Sequence, residues 1–225
     1  MGTVVDPIRF EGVGKRYGDV QALESVDLTV EPGSVHCLVG PNGSGKTTML
    51  DLLLGLTRPT SGSVTVPDVP VGCSFQTPTF YPGLSVRENL DVFARLSGCP
   101  DEAWRERLVE VFGLDHVGGQ LAGTLSGGWQ KKLDLTLGFL KRPTYLLLDE
   151  PFGDLDDVAQ HELQQFLATY SDTDRTVLVV THRVSAFEGI VDRLTVFEDG
   201  HVVSDGAVDP ERSAHEQYMA SLGLE

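Results

Sequence analysis

The chain has 225 residues, of which 40% are hydrophobic, enough to build one sizeable folded domain. Its 33 acidic and 17 basic residues give a formal net charge of −16, so it lacks the basic surface that nucleic-acid binding requires. No apolar run approaches the length that crosses a bilayer, so a transport path through a membrane would need another chain.

The N-terminal part of the chain predicts a β layer, then a buried strand and a helix. Alternating segments within residues 10–30, notably Val26–Val30, predict an N-terminal β layer. The apolar run Val35–Val39 predicts a buried strand, and Thr48–Leu56 predicts a helix packed on it.

The middle of the chain predicts a helical lobe over about residues 79–142. Ser85 and Glu88 form a capping box that opens a helix toward Ser97. Asp101 begins a second helix that runs to about Val111, and a third helix begins at Ser126, which we expect to cap it.

The remaining elements return to an alternation of strand and helix, which indicates an α/β fold. They are the strands Tyr145–Asp149 and Thr176–Val180, a helix Val158–Tyr170 between them, a hairpin turn at Glu198–His201 and a final helix from Asp209. We find no internal repeat or long linker, so we expect residues 1–225 to form a single domain.

A glycine-rich loop lies between the predicted strand Val35–Val39 and the following helix. It fits the phosphate-binding pattern Gly, any four, Gly-Lys-Ser/Thr at every fixed position. Its residues are Gly40, Pro41, Asn42, Gly43, Ser44, Gly45, Lys46 and Thr47, followed by Thr48. Backbone N–H groups and the helix N-terminus would bind the phosphates, Lys46 would reach the β- and γ-phosphates, and the Thr47 hydroxyl would bind Mg²⁺.

A second motif is the apolar strand that ends in Asp149 and Glu150. Asp149 can hold Mg²⁺, and Glu150 can polarise a water for attack on the γ-phosphate. Many strands end in acids, so this segment alone leaves a purely structural role open.

The segment Leu125-Ser126-Gly127-Gly128-Trp129 completes a pattern that resembles the ATP-binding subunits of ABC transporters. The resemblance covers nearly the whole chain, with Trp129 at a position where glutamine is more frequent. Further motifs match in the family's order: Tyr17 (adenine-stacking aromatic), Gln76 (Q-loop), Asp154 to Asp156 (D-loop) and His182 (switch histidine). Taken alone, Tyr17 could be a core residue, Gln76 a surface amide and His182 a structural hydrogen-bonding residue.

The resemblance implies an ABC-type P-loop NTPase core with an N-terminal antiparallel β layer and a helical lobe that carries the signature motif. It implies an active ATPase that uses ATP and Mg²⁺, with Lys46, Gln76, Glu150 and His182 as catalytic residues. Thr47, Gln76 and Asp149 would bind the metal. The nucleotide would be contacted by Tyr17, residues 40–48, Ser126, Gly127, Gly128 and Asp156.

The resemblance also implies partners. Two subunits, either identical or two different ABC subunits, would pack head to tail around two sandwiched ATPs, each Ser126 loop closing over the partner's nucleotide. Residues 80–90 resemble those of ABC-2-type exporter subunits, so we expect a separately encoded membrane subunit and export, with import left open. The alternative is a soluble ABC ATPase that drives a cytoplasmic assembly process such as metal-cluster assembly.

Three features bear on the environment of the chain. Residues 1–10 lack the regions of a signal peptide, and Cys37, Cys73 and Cys99 have no paired spacing, so we expect the cytoplasm, at the cytoplasmic face of the membrane through the partner. The surplus of acids leads to the hypothesis of a salt-loving host, because concentrated salt screens self-repulsion. We expect the basic pairs Lys131-Lys132 and Lys141-Arg142 to lie on solvated helix faces.

Overall fold

The structure, a computed structural model, describes residues 5–98, 101–171 and 174–224, so Cys99 lies outside the described residues. The strands are β1 (Ile8–Tyr17), β2 (Val20–Val30), β3 (Val35–Val39), β4 (Ser61–Thr65), β5 (Val71–Ser74), β6 (Tyr145–Asp149), β7 (Thr176–Thr181), β8 (Arg193–Glu198) and β9 (His201–Ala207). The helices are α1 (Lys46–Leu53), α2 (Val86–Leu96), α3 (Glu102–Val111), α4 (Gly127–Phe139), α5 (Asp157–Tyr170) and α6 (Ala214–Ser221). Strands and helices alternate through most of the chain, which confirms the α/β class.

The first of two compact units combines the chain up to Asp68 with the chain from Ser171 onward. It holds the antiparallel sheet β2-β1-β4, which is the predicted N-terminal β layer, and the strands β7-β3-β8-β9. Strands β7, β3 and β8 are parallel, with Val39 opposite Thr181. The carboxyl ends of parallel strands meet at one edge, so the segments that follow β3 and β7 leave the sheet side by side.

Strand β3 is buried along its whole length. On one face, Cys37 and Val39 pack with Val196 and Ala214, the first residue of α6. On the other face, His36 Nε2 lies 2.6 Å from Thr195 Oγ1, and the Thr195 hydroxyl donates to Asp205 Oδ1 at 2.8 Å. Since the Thr195 hydrogen goes to Asp205, His36 donates to Thr195 through Nε2.

The second unit spans Val69–Tyr170 and contains β5, β6 and the helices α2 to α5. Strands β5 and β6 are parallel, with Ser74 opposite Leu148, so the segments after Ser74 and Leu148 also leave at one edge. The core is aromatic and comprises Trp104, Phe112, Phe139, Phe166 and Tyr170, with ring centroids 5.0 Å apart in the tightest pairs. The polar tips of two of these rings are satisfied, since the Trp104 indole donates to Phe139 O at 2.9 Å and the Tyr170 hydroxyl donates to Pro143 O at 2.8 Å.

Several predicted boundaries are confirmed. The Ser85–Glu88 capping box opens α2, and the Asp101 side chain accepts from Trp104 N at the start of α3. The turn between β8 and β9 has positive φ at Asp199 and Gly200, as a tight hairpin requires. Among the described residues, no helix combines the length and the apolar composition needed to span a bilayer.

Two helix starts differ from the prediction. Helix α1 begins at Lys46, two residues earlier than predicted, because Gly45 turns the chain directly into the helix. The last helix begins at Ala214 and not at Asp209, because Ser213 and Glu216 form a capping box there. The Gln217 side chain holds the preceding residues in a turn through Asp209 N and Arg212 O.

The buried His36 makes the stability of the protein depend on pH. Burial lowers its pKa from 6.5 to about 4; Asp205 opposes this shift and Arg193 adds to it. Between these values the unfolded chain binds a proton that the folded chain does not, so stability falls as the pH drops from about 6.5. Through His36, the wild type should lose about 2 kcal/mol of unfolding free energy between about pH 7 and about pH 5. We expect His36→Gln to lack this pH-dependent loss when the unfolding free energy is measured with urea at both pH values. His116→Gln, at an exposed histidine, is the control, and identical pH slopes for wild type and His36→Gln would contradict the assignment.

Candidate active site

The glycine-rich loop leaves β3 at Val39 and enters α1 at Lys46. Gly45 has a φ of 103°, and a Cβ at Gly40 would lie 2.2 Å from Phe197 O, so both positions need glycine. Within the described chain no side chain caps α1 at Gly45. The first N–H groups of the helix therefore face the loop as donors, which is the arrangement that binds phosphate.

Lys46 adds a cation to these donors. Its side chain is buried, and Nζ donates to Gly40 O at 2.8 Å and to Pro41 O at 2.9 Å. The ammonium therefore lies across the start of the loop, while the neighbouring Thr47 is exposed. This combination of N–H donors, cation and hydroxyl fits the phosphate chain of a nucleotide.

Two further predicted residues of the first unit lie at strand ends. Tyr17 closes β1 and is 45% exposed, with Lys15 Nζ 4.6 Å from its ring centroid. This exposure argues against a core role and leaves a ring face for stacking. His182 follows β7 directly and is exposed; because Val39 pairs with Thr181, His182 lies beside Gly40 at the same sheet edge.

In the second unit the two acids follow the buried strand β6. Asp149 is buried and Glu150 is half-buried. Glu150 has a φ of 45°, which is uncommon for a residue with a side chain and carries strain of about 1–3 kcal/mol. Such strain persists only where neighbouring contacts fix the backbone, so the direction of the Cα–Cβ bond of Glu150 is set by the fold.

Lys131 is buried, and its predicted place on a solvated face is wrong. It is 1% exposed, and its Nζ donates to Phe75 O at 2.8 Å and to Asp149 O at 3.3 Å. Burial lowers the pKa of this ammonium, whereas Asp134 is the largest of the nearby carboxylate effects that raise it. The reason is that α4 packs on β5, which turns this face of the helix inward. Lys141 and Arg142 are exposed, as predicted, but they follow the end of α4, so their predicted place on a helix face is wrong.

Gln76 lies in an exposed segment whose ends are bound by Asp134. The Asp134 carboxylate accepts from the Ser74 hydroxyl at 2.5 Å and from Thr79 N at 2.7 Å. Burial raises the pKa of Asp134, and these two bonds oppose that shift. The sequence analysis missed Asp134, although a lone acid inside the apolar run of residues 133–140 was the signal that could have revealed it.

The two glycines of the signature segment lie close to Asp154, and the approach at Gly128, to a backbone oxygen, leaves no room for a side chain. A Cβ at Gly128 would lie 2.9 Å from Asp154 O, and one at Gly127 would lie 3.3 Å from Asp154 Cγ. Ser126 occupies the N-cap position of α4, but its hydroxyl makes no capping bond within the described residues, so the capping prediction is wrong. Asp156 accepts from Ala159 N at 2.8 Å and thereby caps α5.

The sequence was compared with protein families and curated proteins. Residues 23–153 match the family model described as ABC transporter. The Nod factor export ATP-binding protein I of Burkholderia lata is 36% identical over 90% of this chain and 71% of that protein. The bacitracin transport ATP-binding protein of Enterococcus faecalis is 30% identical over 94% of this chain and 72% of that protein.

Solved structures agree with the sequence matches. A dimeric bacterial ABC transporter cassette superposes with a TM-score of 0.80 and 26% identity, covering 90% of this chain and 99% of that one. A dimeric post-hydrolysis state of the same cassette, bound to ADP and Pi, has a TM-score of 0.78 and 25% identity over the same shares. The family match covers more than half of the chain, and the resemblance noted in the sequence is confirmed: the chain belongs to the ABC transporter family, as an ATP-binding subunit of the ATP-hydrolysing cassette type.

Proposed function

We propose that the chain drives export through a separately encoded membrane subunit, to which it binds at the cytoplasmic face of the cell membrane. The observation that carries this proposal is the 36% identity, over 90% of the chain, to an ATP-binding protein named for Nod factor export. We treat residues 1–225 as one ATP-binding domain, with the helical lobe at about residues 79–142. The transported compound is left open, because specificity in such systems lies mainly with the membrane subunit.

In this proposal the first unit binds the nucleotide. The N–H groups of residues 40–48 and the Lys46 ammonium bind the phosphates, and the Tyr17 ring stacks on the adenine. The positive φ of Gly43 and Gly45, the uncapped start of α1 and the exposed ring of Tyr17 support these roles.

We assign the Mg²⁺ ligands to Thr47, Gln76 and Asp149. All three offer the oxygen donors that this small, hard cation prefers. When bound, the ion supplies charge neutralisation at the phosphate oxygens. The exposed Thr47 and Gln76 can turn toward a ligand.

Hydrolysis requires a group that orients and deprotonates water. Glu150 has this role in the proposal, as general base, while His182 contacts the γ-phosphate and Gln76 registers it. The left-handed backbone at Glu150 fixes the direction of its Cα–Cβ bond, which supports a positional role.

The working assembly that we propose is a dimer, of two copies or of this chain and another ABC subunit, with two sandwiched ATPs. Ser126, Gly127, Gly128 and Asp156 would contact the nucleotide of the partner. The Ser126 hydroxyl is not used to cap α4, so it is available as a donor, which supports this role. The solved cassette that matches this chain is described as dimeric.

A pull-down tests the transporter assignment. The tagged chain is captured from detergent-solubilised membranes at the salt concentration of the host, and co-purifying proteins are identified by mass spectrometry. We expect a multi-span membrane protein in stoichiometric amount. A soluble partner, with the chain absent from membranes, would contradict the proposal and favour a cytoplasmic assembly factor.

The variant Glu150→Gln tests the general base. The amide keeps the shape of the side chain but cannot take a proton, so we expect turnover to fall by about 100-fold or more. ATP should then hold the dimer closed, seen as an ATP-dependent dimer by size-exclusion chromatography. Glu162→Gln, at an exposed position of α5, is the matched control. Undiminished turnover of Glu150→Gln would contradict the assigned role.

The net charge leads to the proposal that the protein is adapted to a salt-rich host. Self-repulsion from a charge of −16 falls as the Debye length shortens from about 10 Å at 0.1 M to about 3 Å at 1 M. We expect the melting temperature and the ATPase rate to rise with KCl over this range. An equal osmolality of sorbitol is the control, and full folding and activity in dilute buffer would count against the proposal.

A further inference from the structure

Helix α4, which begins at the signature segment, buries two opposite charges on one face. Lys131 and Asp134 are 1% and 3% exposed, and residues three apart share a helix face. Charged side chains are rarely buried this fully unless bonded partners compensate them. The partners of these two side chains therefore indicate their role.

The Lys131 ammonium binds two peptide groups that each lead into a candidate catalytic residue. Its acceptor Phe75 O belongs to the peptide bond before Gln76, and its acceptor Asp149 O belongs to the peptide bond before Glu150. One cation thus fixes the planes of both peptides against the same helix.

The Asp134 carboxylate binds the chain on both sides of Gln76. Its partners are the Ser74 hydroxyl, at the end of β5, and Thr79 N, three residues after Gln76. The exposed Gln76 is therefore carried by a short segment with both ends fixed to α4.

We propose that Lys131 and Asp134 are positioning residues for ATP hydrolysis. They hold the backbone beside Gln76 and Glu150 in a fixed position against α4, the helix that follows the signature segment. The inference rests on the roles proposed above for Gln76 and Glu150. It adds that α4, the Gln76 segment and the end of β6 keep their mutual arrangement through the bonds of two buried charged side chains, Lys131 and Asp134.

The backbone at Glu150 supports this role. A peptide plane that is held at its carbonyl leaves the next residue fewer ways to relieve an unfavourable φ, and Glu150 has a φ of 45°. If the Lys131 bond to Asp149 O were lost, the Asp149–Glu150 peptide could rotate and the carboxylate would move away from its position. Displacements of about 1 Å in such a group cost about 100-fold in rate.

A double-mutant cycle tests the link between Lys131 and Glu150. Lys131→Met keeps the unbranched, buried stem and removes the ammonium. We expect kcat to fall by about 10-fold to 100-fold with the KM for ATP changed by less than about 3-fold. In a Glu150→Gln background the same substitution should lower residual turnover by a clearly smaller factor, because its effect through Glu150 is already lost and only its effect through Gln76 remains. An equal loss in both backgrounds would overturn the proposal.

Asp134→Asn provides a second variant in case Lys131→Met folds poorly, which urea unfolding reports. It keeps the shape and removes the charge, and we expect kcat to fall by about 3-fold to 10-fold. This loss should disappear in a Gln76→Ala background, and its persistence there would contradict the proposed action through Gln76. Lys141→Met, at an exposed lysine of the same unit, is the control and should turn over like the wild type.

Hydrogen–deuterium exchange gives a readout that is independent of turnover. We expect Lys131→Met to speed exchange in peptides covering residues 75–79 and 150–154, with residues 101–111 of α3 unchanged. Unchanged exchange in all these peptides would overturn the proposal. Faster exchange together with normal turnover in Glu150→Gln would show that the contact positions the segment while the role proposed for Glu150 is wrong.

Discussion

The burial of one ammonium constrains the arrangement of the second unit. Removing Lys131 from water costs several kcal/mol unless bonded acceptors compensate it. The acceptors are two backbone carbonyls: that of Phe75, which follows β5, and that of Asp149, which ends the neighbouring parallel strand β6. The Asp134 carboxylate lies nearby, on the same helix α4 as Lys131. Moving either strand end or the helix would leave a buried charge without its partners. The requirement to satisfy Lys131 therefore sets where the Gln76 segment and the two acids lie.

A different constraint acts in the first unit. Strands β7, β3 and β8 run in parallel, so the phosphate loop and His182 leave the sheet at the same edge. The loop also has to pass close to Phe197 O, and only glycine at position 40 allows that approach. The register of the sheet places the phosphate loop and His182 side by side, and the space beside Phe197 O restricts the first residue of the loop to glycine. The two units thus place their candidate site residues by the same rule, at the carboxyl ends of parallel strands.

The sequence revealed the features that depend on local chemistry. The phosphate loop, the Ser85–Glu88 capping box and the Asp199-Gly200 turn each need particular residue types at short spacing, so pattern and structure agree. Features that depend on packing were not visible. Lys131-Lys132 reads as an ordinary basic pair until α4 is placed on β5, and Ser126 reads as a helix cap until its hydroxyl is seen to make no such bond. The predicted start of the last helix was wrong because Asp209 and Ser213 are both residue types that cap helices. Only Ser213 has a glutamate, Glu216, three residues later to complete a capping box.

The strained backbone at Glu150 connects these observations to function. The backbone of an ordinary strand residue can shift within the broad β region at little cost. Glu150 instead lies where β6 ends in a left-handed residue, directly after a carbonyl that is bound by a buried lysine. The direction of its Cα–Cβ bond is therefore imposed by the backbone before any substrate is present, a preorganisation that would serve the water activation proposed for Glu150. On the roles proposed above, the candidate site includes, besides the Glu150 carboxylate, the lysine that binds the preceding peptide.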